Sequence, residues 1–100
     1  MEEELFRIAL EALANVVRHS GASGVQIRLA SSEQAHVLQV RDDGAGFDVT
    51  AARPGHLGLE TMAERAAHIG ARFEIDSAPG SGTRVTVTVP GLPGTGGPAR

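Results

Sequence analysis

Apolar residues recur at helical spacing over residues 2–18. A stripe that returns every three or four residues predicts an amphipathic helix with one face toward a core. The stripe consists of Leu5, Ile8, Ala9, Ala12 and Val16, and it is widened by Phe6, Leu10, Leu13 and Val17. Glutamates fill the first turn, where the helix dipole favours acidic residues. Residues 19–24 (HSGASG) are predicted to end the helix and turn the chain.

A second helical pattern covers residues 59–69. It places Leu59, Met62, Ala63 and Ala66 on one face, and Gly70 follows as a typical C-terminal stop. Residues 48–57 (DVTAARPGHL) show no period and contain a Pro-Gly pair. This segment therefore predicts a loop.

Period-two alternation predicts four strands. Val25, Ile27 and Leu29 alternate with polar residues, and a turn at residues 31–34 leads to a second strand at residues 37–40. The segments ARFEIDS (71–77) and TRVTVTV (83–89) predict a second pair, joined by the turn-forming APGSG. This order of elements predicts an α+β fold, a two-layer α/β sandwich with the helices on one face of a mixed, mostly antiparallel sheet.

Composition narrows the classes of function. A chain of 100 residues supports one domain, predicted at residues 1–90, and the glycine- and proline-rich residues 91–100 are predicted to be disordered. The net charge of −3 with scattered arginines argues against a nucleic-acid partner. No apolar run reaches the ~20 residues of a membrane span, so no direct membrane contact is expected. The absence of cysteine excludes thiol chemistry and fits a cytoplasmic location.

The first predicted helix carries a polar stripe. Glu11, Asn15 and Arg18 lie four and three residues apart, and His19 follows at the helix end. An amide oxygen suits Mg²⁺, a carboxylate one turn away can act as a base, and an arginine and a histidine can meet phosphate. A solvated helix face fits the same residues, so this pattern alone leaves both interpretations open.

The segment RDDGAGF follows the second predicted strand directly. Asp42 can accept a hydrogen bond from an exocyclic amine such as that of adenine, and Gly44 and Gly46 allow a ligand close to bare backbone. A tight turn, including Asp43, is the alternative. The spacing fits neither a Rossmann fingerprint nor a P-loop, and an EF-hand would need further acids.

Residues 55–59 (GHLGL) lead into the second predicted helix. Free N–H groups at a helix start, with Gly55 and Gly58 beside them, can cradle phosphate. A plain glycine-rich start of a helix is the alternative. Residues 80–83 (GSGT) predict by themselves no more than a hairpin turn.

Four motifs occur in a fixed order: EALANVVRH (11–19), DDGAGF (42–47), GHLGLETMAERA (55–66) and GSGTRVTVTVP (80–90). Together they closely resemble the ATP-binding catalytic domain of bacterial two-component sensor histidine kinases, in the nitrate-sensor and desaturase-sensor version. That family belongs to a superfamily shared with gyrase, the ninety-kilodalton heat-shock chaperone and the MutL mismatch-repair protein. The resemblance runs from about Leu5 to Pro90 and implies the Bergerat ATP-binding fold.

The resemblance implies a role for each matching residue, with ATP and Mg²⁺ as cofactors. Asn15 falls on the asparagine that coordinates Mg²⁺, and Glu11 on the glutamate that activates water in the superfamily's ATPases. Arg18 and His19 fall near the phosphates, and Asp42 falls on the adenine-binding aspartate. The other implied nucleotide contacts are Gly44, Gly46, Gly55, His56, Gly58, Leu59 and Thr83. The loop between the first and second glycine motifs becomes the ATP lid.

The resemblance also implies partners. None of the chain's four histidines stands in a phosphoacceptor context, so we expect an N-terminally truncated fragment of a longer kinase. Its expected function is to bind Mg-ATP and to donate the γ-phosphate to a histidine on a separate dimerisation domain, with a response regulator downstream. The alternatives are another superfamily enzyme, namely a hydrolysing ATPase or an anti-sigma serine kinase, and a non-catalytic nucleotide switch. Steady phosphate release by the isolated domain would favour the hydrolysing ATPase, and phosphorylation of a partner serine would favour the serine kinase.

Overall fold

The elements follow the predicted order. The structure, a computed structural model, describes residues 2–49 and 58–90, apart from the side chains of residues 2, 19 and 20. Its helices are α1 (Glu2–Asn15), which continues as a π-helical segment (Val16–Ser20), and α2 (Leu59–His68). Its strands are β1 (Val25–Ser31), β2 (Ala35–Asp42), β3 (Arg72–Ser77) and β4 (Thr83–Pro90). Most of the predicted lid and the tail predicted at residues 91–100 lie outside the described residues.

The four strands form one sheet in the order β1-β2-β4-β3. The sheet was expected to be mixed and mostly antiparallel, and each of the three described pairings is antiparallel. Both helices pack on one face of the sheet, because α1 and α2 share a buried cluster with β2 and β4. The predicted α+β two-layer architecture is confirmed.

The core follows from the two periodicities. Ile8 of α1, Met62 of α2 and Val87 of β4 are completely buried, and alternate residues of β2 and β4 point to the same side. The buried apolar residues are Leu5, Ile8, Ala12, Leu38, Val40, Met62, Ala66, Val85, Val87 and Val89. They place the core between the helices and the two central strands.

The apolar stripe of α1 is narrower than predicted. Phe6, Leu10 and Val17 are 63%, 49% and 83% exposed, so the prediction that they widen the core-facing stripe is wrong. One sheet covers only one side of a helix, and these residues lie well around the helix from Ile8. Among the described helices, none is long and apolar enough to cross a membrane.

The end of the first helix changes geometry at Asn15. The sequence predicts regular helix to residue 18, whereas α1 ends at Asn15 and a π-helical turn continues to Ser20. Gly21, with a φ of 64°, ends the turn. Wider turns of this kind occur often at functional sites, and this one carries Arg18 of the predicted polar stripe.

Candidate functional site

One group of predicted site residues meets at the C-terminal end of β2. Asp42 pairs with Thr83, the first residue of β4, and is the only charged residue found buried in the described part of the chain. The Gly44 N–H donates to Asp42 Oδ1 over 2.7 Å. A carboxylate has about four lone-pair sites, so this bond leaves room for a further donor. A buried carboxylate beside an apolar core is uncommon unless a partner satisfies it.

The hydroxyl of Ser77 joins three segments around Asp42. It accepts a hydrogen bond from the Phe47 N–H over 2.9 Å and donates to the Gly82 carbonyl over 2.8 Å. Its Oγ also lies 2.9 Å from Thr83 Oγ1. Because the single Ser77 proton is directed to Gly82, Thr83 donates in this third bond, and its own oxygen can accept from a ligand.

The sequence-based prediction missed Ser77. Its signal was available, because Ser77 and Thr83 flank the APGSG turn and are partners in the predicted strand pair. Two polar residues facing each other on the core side of a hairpin indicate a hydrogen-bonding role. Periodicity alone does not reveal that Phe47 joins them.

Gly46 allows the loop after β2 to lie directly on the β3–β4 turn. Its φ is 66°, and a Cβ at this position would clash with the carbonyl oxygens of Ala78 and Gly82. The Gly80 N–H donates to the Ala45 carbonyl. Residues 80–83, for which the sequence alone predicts only a hairpin turn, therefore support the loop that carries the candidate adenine site.

Asp43 has different hydrogen-bond partners from Asp42. Its carboxylate binds Ser23 and Gly24 in the connection between the π-helical segment and β1. The Ser23 hydroxyl, followed by the Gly24 N–H, lowers the pKa of Asp43 below its ordinary value of 3.8. The two adjacent acids of RDDGAGF therefore have different surroundings.

A second group of site residues meets where α1 approaches the start of α2. Gly58 precedes α2 with a φ of 66°, and a Cβ there would clash with the Glu11 carboxylate. Asn15 has interactions of its own, but its Oδ1 atom is buried and accepts no hydrogen bond from the described residues. Arg18 is exposed, while the side chain of His19 lies outside the described residues.

The remaining predicted residues are placed in part. Leu59 opens α2 and packs against the core, so its side chain has a structural role. Gly55 and His56 lie outside the described residues.

In the ranges 2–49 and 58–90, no cluster of three or more acidic, histidine or cysteine residues could hold a metal ion by itself. A magnesium ion here would depend on few protein ligands and on ligand phosphates.

A cavity of about 270 Å³ opens at the same end of the sheet. Asp42, Ser77 and Thr83 line it from the core side, and Arg41 and Arg84 from the opposite face. The cavity thus extends around the strand ends. Its volume is near the lower limit for small-molecule sites.

Comparison with known proteins gives a consistent set of relatives. Residues 1–93 match the family described as "Histidine kinase-, DNA gyrase B-, and HSP90-like ATPase". The chain is 43% identical over 90 residues to "Sensor protein VraS" of Staphylococcus epidermidis and 42% identical to that of Staphylococcus aureus. These alignments cover 90% of this chain but only 26% of each relative. The chain therefore spans about a quarter of the length of these curated relatives.

Solved structures agree with the fold. The ATP-binding domain of PrrB from Mycobacterium tuberculosis is 27% identical, with a TM-score of 0.76 over 92% of this chain and 70% of that one. The histidine kinase domain of a blue-light activated histidine kinase from Erythrobacter litoralis is 25% identical, with a TM-score of 0.73 over 88% of this chain and 46% of that one.

Proposed function

Because this chain belongs to the histidine kinase-, DNA gyrase B- and HSP90-like ATPase family and is homologous to sensor histidine kinases, we propose that it binds Mg-ATP and donates the γ-phosphate to a histidine. The histidine lies on a separate dimerisation domain, and the phosphate passes from there to a response regulator. The observation that carries the proposal is the buried Asp42 at the end of β2, braced by glycines and hydroxyls.

The adenine ring is recognised at the end of the sheet. The Asp42 carboxylate accepts a hydrogen bond from the exocyclic amine, and Thr83 offers a second acceptor beside it. Gly44 keeps the adjoining backbone free of a side chain, so the ring can approach it, and Gly46 lets the same loop rest on the β3–β4 turn. A buried carboxylate discriminates well, because a base without a donor would cover its remaining acceptor sites and offer them no hydrogen bond.

The phosphates are held at the other group of residues. Asn15 would contribute an amide oxygen to Mg²⁺, because this hard cation prefers oxygen ligands and takes few of them from the protein. Arg18 and His19 neutralise phosphate charge, and the backbone at Gly55 and Gly58, with His56 and Leu59, cradles the phosphates at the start of α2. Glu11 orients the groups around the γ-phosphate. Bound Mg²⁺ would neutralise charge that develops on the phosphate oxygens.

The transfer itself requires little from this domain beyond placement. A histidine nitrogen forms a bond to the γ-phosphorus while the bond from that phosphorus to the ADP oxygen breaks, and the imidazole proton passes to solvent. Positioning and charge neutralisation provide the catalysis in such reactions. We place this step in the cytoplasm, in one catalytic domain over residues 1–90 of a longer kinase.

Calorimetric titration with a non-hydrolysable ATP analogue tests the proposal. Asp42→Asn keeps an oxygen for the Gly44 N–H, so the fold should persist while the charged acceptor is lost. We expect binding to weaken at least about tenfold, the size of one hydrogen bond to a charged group. Glu74→Gln, which removes an exposed charge on the other sheet face, serves as the control and should bind like the wild type. Equal affinities for wild type and Asp42→Asn would contradict the proposal.

A further inference from the structure

One carboxylate holds together two loops that lie far apart in the sequence. Asp43 Oδ1 accepts hydrogen bonds from the Ser23 N–H over 2.9 Å and from the Gly24 N–H over 3.1 Å. Asp43 Oδ2 accepts from the Ser23 hydroxyl over 2.9 Å. The Asp43 N–H also donates to the Gly24 carbonyl over 3.4 Å. These contacts are called the Asp43 bridge below.

The bridge joins the two groups of site residues. On one side, Asp43 follows Asp42 directly. On the other side, Ser23 and Gly24 lie in the short connection that follows the π-helical segment with Arg18. Pairing between β1 and β2 begins only at Val25, so strand pairing does not hold the residues before it.

A connection of this kind would otherwise be loose. Residues 21–24 contain two glycines, an alanine and a serine, which have little side chain to pack. The glycines among them raise the conformational freedom of an unrestrained loop. Three hydrogen bonds to one charged acceptor restrain this connection.

We propose that Asp43 is a positioning residue for nucleotide binding, which fixes the end of the first helix relative to the adenine aspartate through the Asp43 bridge. This inference rests on the proposed function. Asp43 acts through other residues, because its carboxylate is directed at Ser23 and Gly24. It acts by raising the fraction of molecules in which the helix end and Asp42 stand at the correct separation.

The chemistry of the bridge predicts an order among substitutions. Both carboxylate oxygens accept hydrogen bonds, and an asparagine keeps only one acceptor oxygen. Asp43→Asn should therefore retain the backbone bonds of Ser23 and Gly24 and rescue part of the effect, whereas Asp43→Ala retains none. A residue that contributed only negative charge would lose as much in Asn as in Ala.

The experiment measures affinity and local order in the same variants. The variants are Asp43→Ala, Asp43→Asn, Ser23→Ala and the double Asp43→Ala/Ser23→Ala, with Glu33→Gln in the β1–β2 turn as the charge-matched control. Calorimetry with an ATP analogue and Mg²⁺ gives the affinities, and amide hydrogen exchange at Ser23, Gly24 and Arg18 reports the loop and the helix end without any nucleotide. We expect affinity to fall roughly tenfold in Asp43→Ala and about threefold in Asp43→Asn. Glu33→Gln should match the wild type, and Ser23→Ala should add nothing once Asp43 is alanine.

Two results would overturn the inference. Faster exchange at Ser23 and Gly24 with unchanged affinity would mean that the bridge forms but does not position the site. Equal losses in Asp43→Asn and Asp43→Ala would assign the effect to charge. If Asp43→Ala does not fold, Asp43→Asn and Ser23→Ala decide by the same criteria. Failure of the wild type to bind nucleotide would instead refute the proposed function, and the positioning role with it, whatever the exchange rates show.

Discussion

Substituting Gly46 tests whether the loop after β2 is built on direct backbone contact. Gly46 has a φ of 66°, and an added Cβ would clash with the carbonyl oxygens of Ala78 and Gly82. Gly70 provides a matched control, because its φ is 69° and an added Cβ there would meet no described atom within 4 Å. Alanine at either position takes the same backbone penalty, and only Gly46→Ala adds a collision.

The magnitudes follow from these two contributions. A left-handed conformation costs a non-glycine residue about 1–2 kcal/mol. The collision at Gly46 involves backbone that cannot rotate away, and overpacking of this kind typically costs a further ~1–3 kcal/mol. We therefore expect Gly70→Ala to lose about 1–2 kcal/mol of unfolding free energy and Gly46→Ala about 2–5 kcal/mol. In a domain of this size each kcal/mol lowers Tm by about 4–8 °C.

Thermal unfolding followed by circular dichroism gives the stabilities, and calorimetric titration with an ATP analogue gives the affinities below each Tm. Gly46→Ala should weaken nucleotide binding, because the displaced loop carries Gly44, whose N–H binds Asp42. Gly70 lies past the C-terminal end of α2, far from the start of that helix. Gly70→Ala should therefore bind the ATP analogue like the wild type. Equal stability losses in the two variants, or normal binding by Gly46→Ala, would refute the close backbone contact.

Three further predictions concern the core, the pH dependence and the metal. In a denaturant titration, Ile8→Ala should lower the free energy of unfolding by about 2–5 kcal/mol, because it leaves a cavity at a completely buried site. Phe6 is 63% exposed, so Phe6→Ala should lower it by less than about 1 kcal/mol. Similar losses in the two variants would contradict the described core. The Ser23 hydroxyl, followed by the Gly24 N–H, lowers the pKa of Asp43 in the folded protein. The ionised Asp43 carboxylate therefore contributes fully to stability above its unfolded-state pKa, and this contribution is lost as the pH falls through its folded-state pKa. The difference in unfolding free energy between wild type and Asp43→Asn should therefore shrink as the pH falls below the ordinary carboxyl value of 3.8, and a constant difference would contradict the bridge. Asn15→Ala should make the affinity for the ATP analogue nearly independent of Mg²⁺ in calorimetry, and an unchanged Mg²⁺ dependence would remove Asn15 from the metal site.

Much of the architecture could be predicted because local patterns determine it. The apolar face of α2 begins at Leu59 as predicted, and β4 alternates Val85, Val87 and Val89 inward, as its sequence requires. The exposure of Phe6 and Val17 could not be predicted, since periodicity shows that a helix has an apolar side but not how wide its cover is. The π-helical turn after Asn15 likewise has no signal in the apolar spacing.

The site was predictable by residue type and less so by contact. The motif order pointed to Asp42 and Thr83, which the structure pairs across adjacent strands. The Ser77 bonds and the Asp43 bridge are tertiary contacts, and the bridge spans about 20 residues of sequence. Such contacts depend on where separate loops meet, which composition and spacing do not specify.

A nuclear magnetic resonance titration that follows backbone amide chemical shifts tests the central claim most directly. Isotope-labelled protein would be titrated with a non-hydrolysable ATP analogue and Mg²⁺, and the shift changes mapped on the described residues. A nucleotide bound as proposed predicts the largest changes at Gly44, Gly46, Thr83 and Asn15. Changes confined to the outer sheet face, at Thr86 and Thr88, or no change in a folded sample, would contradict the account.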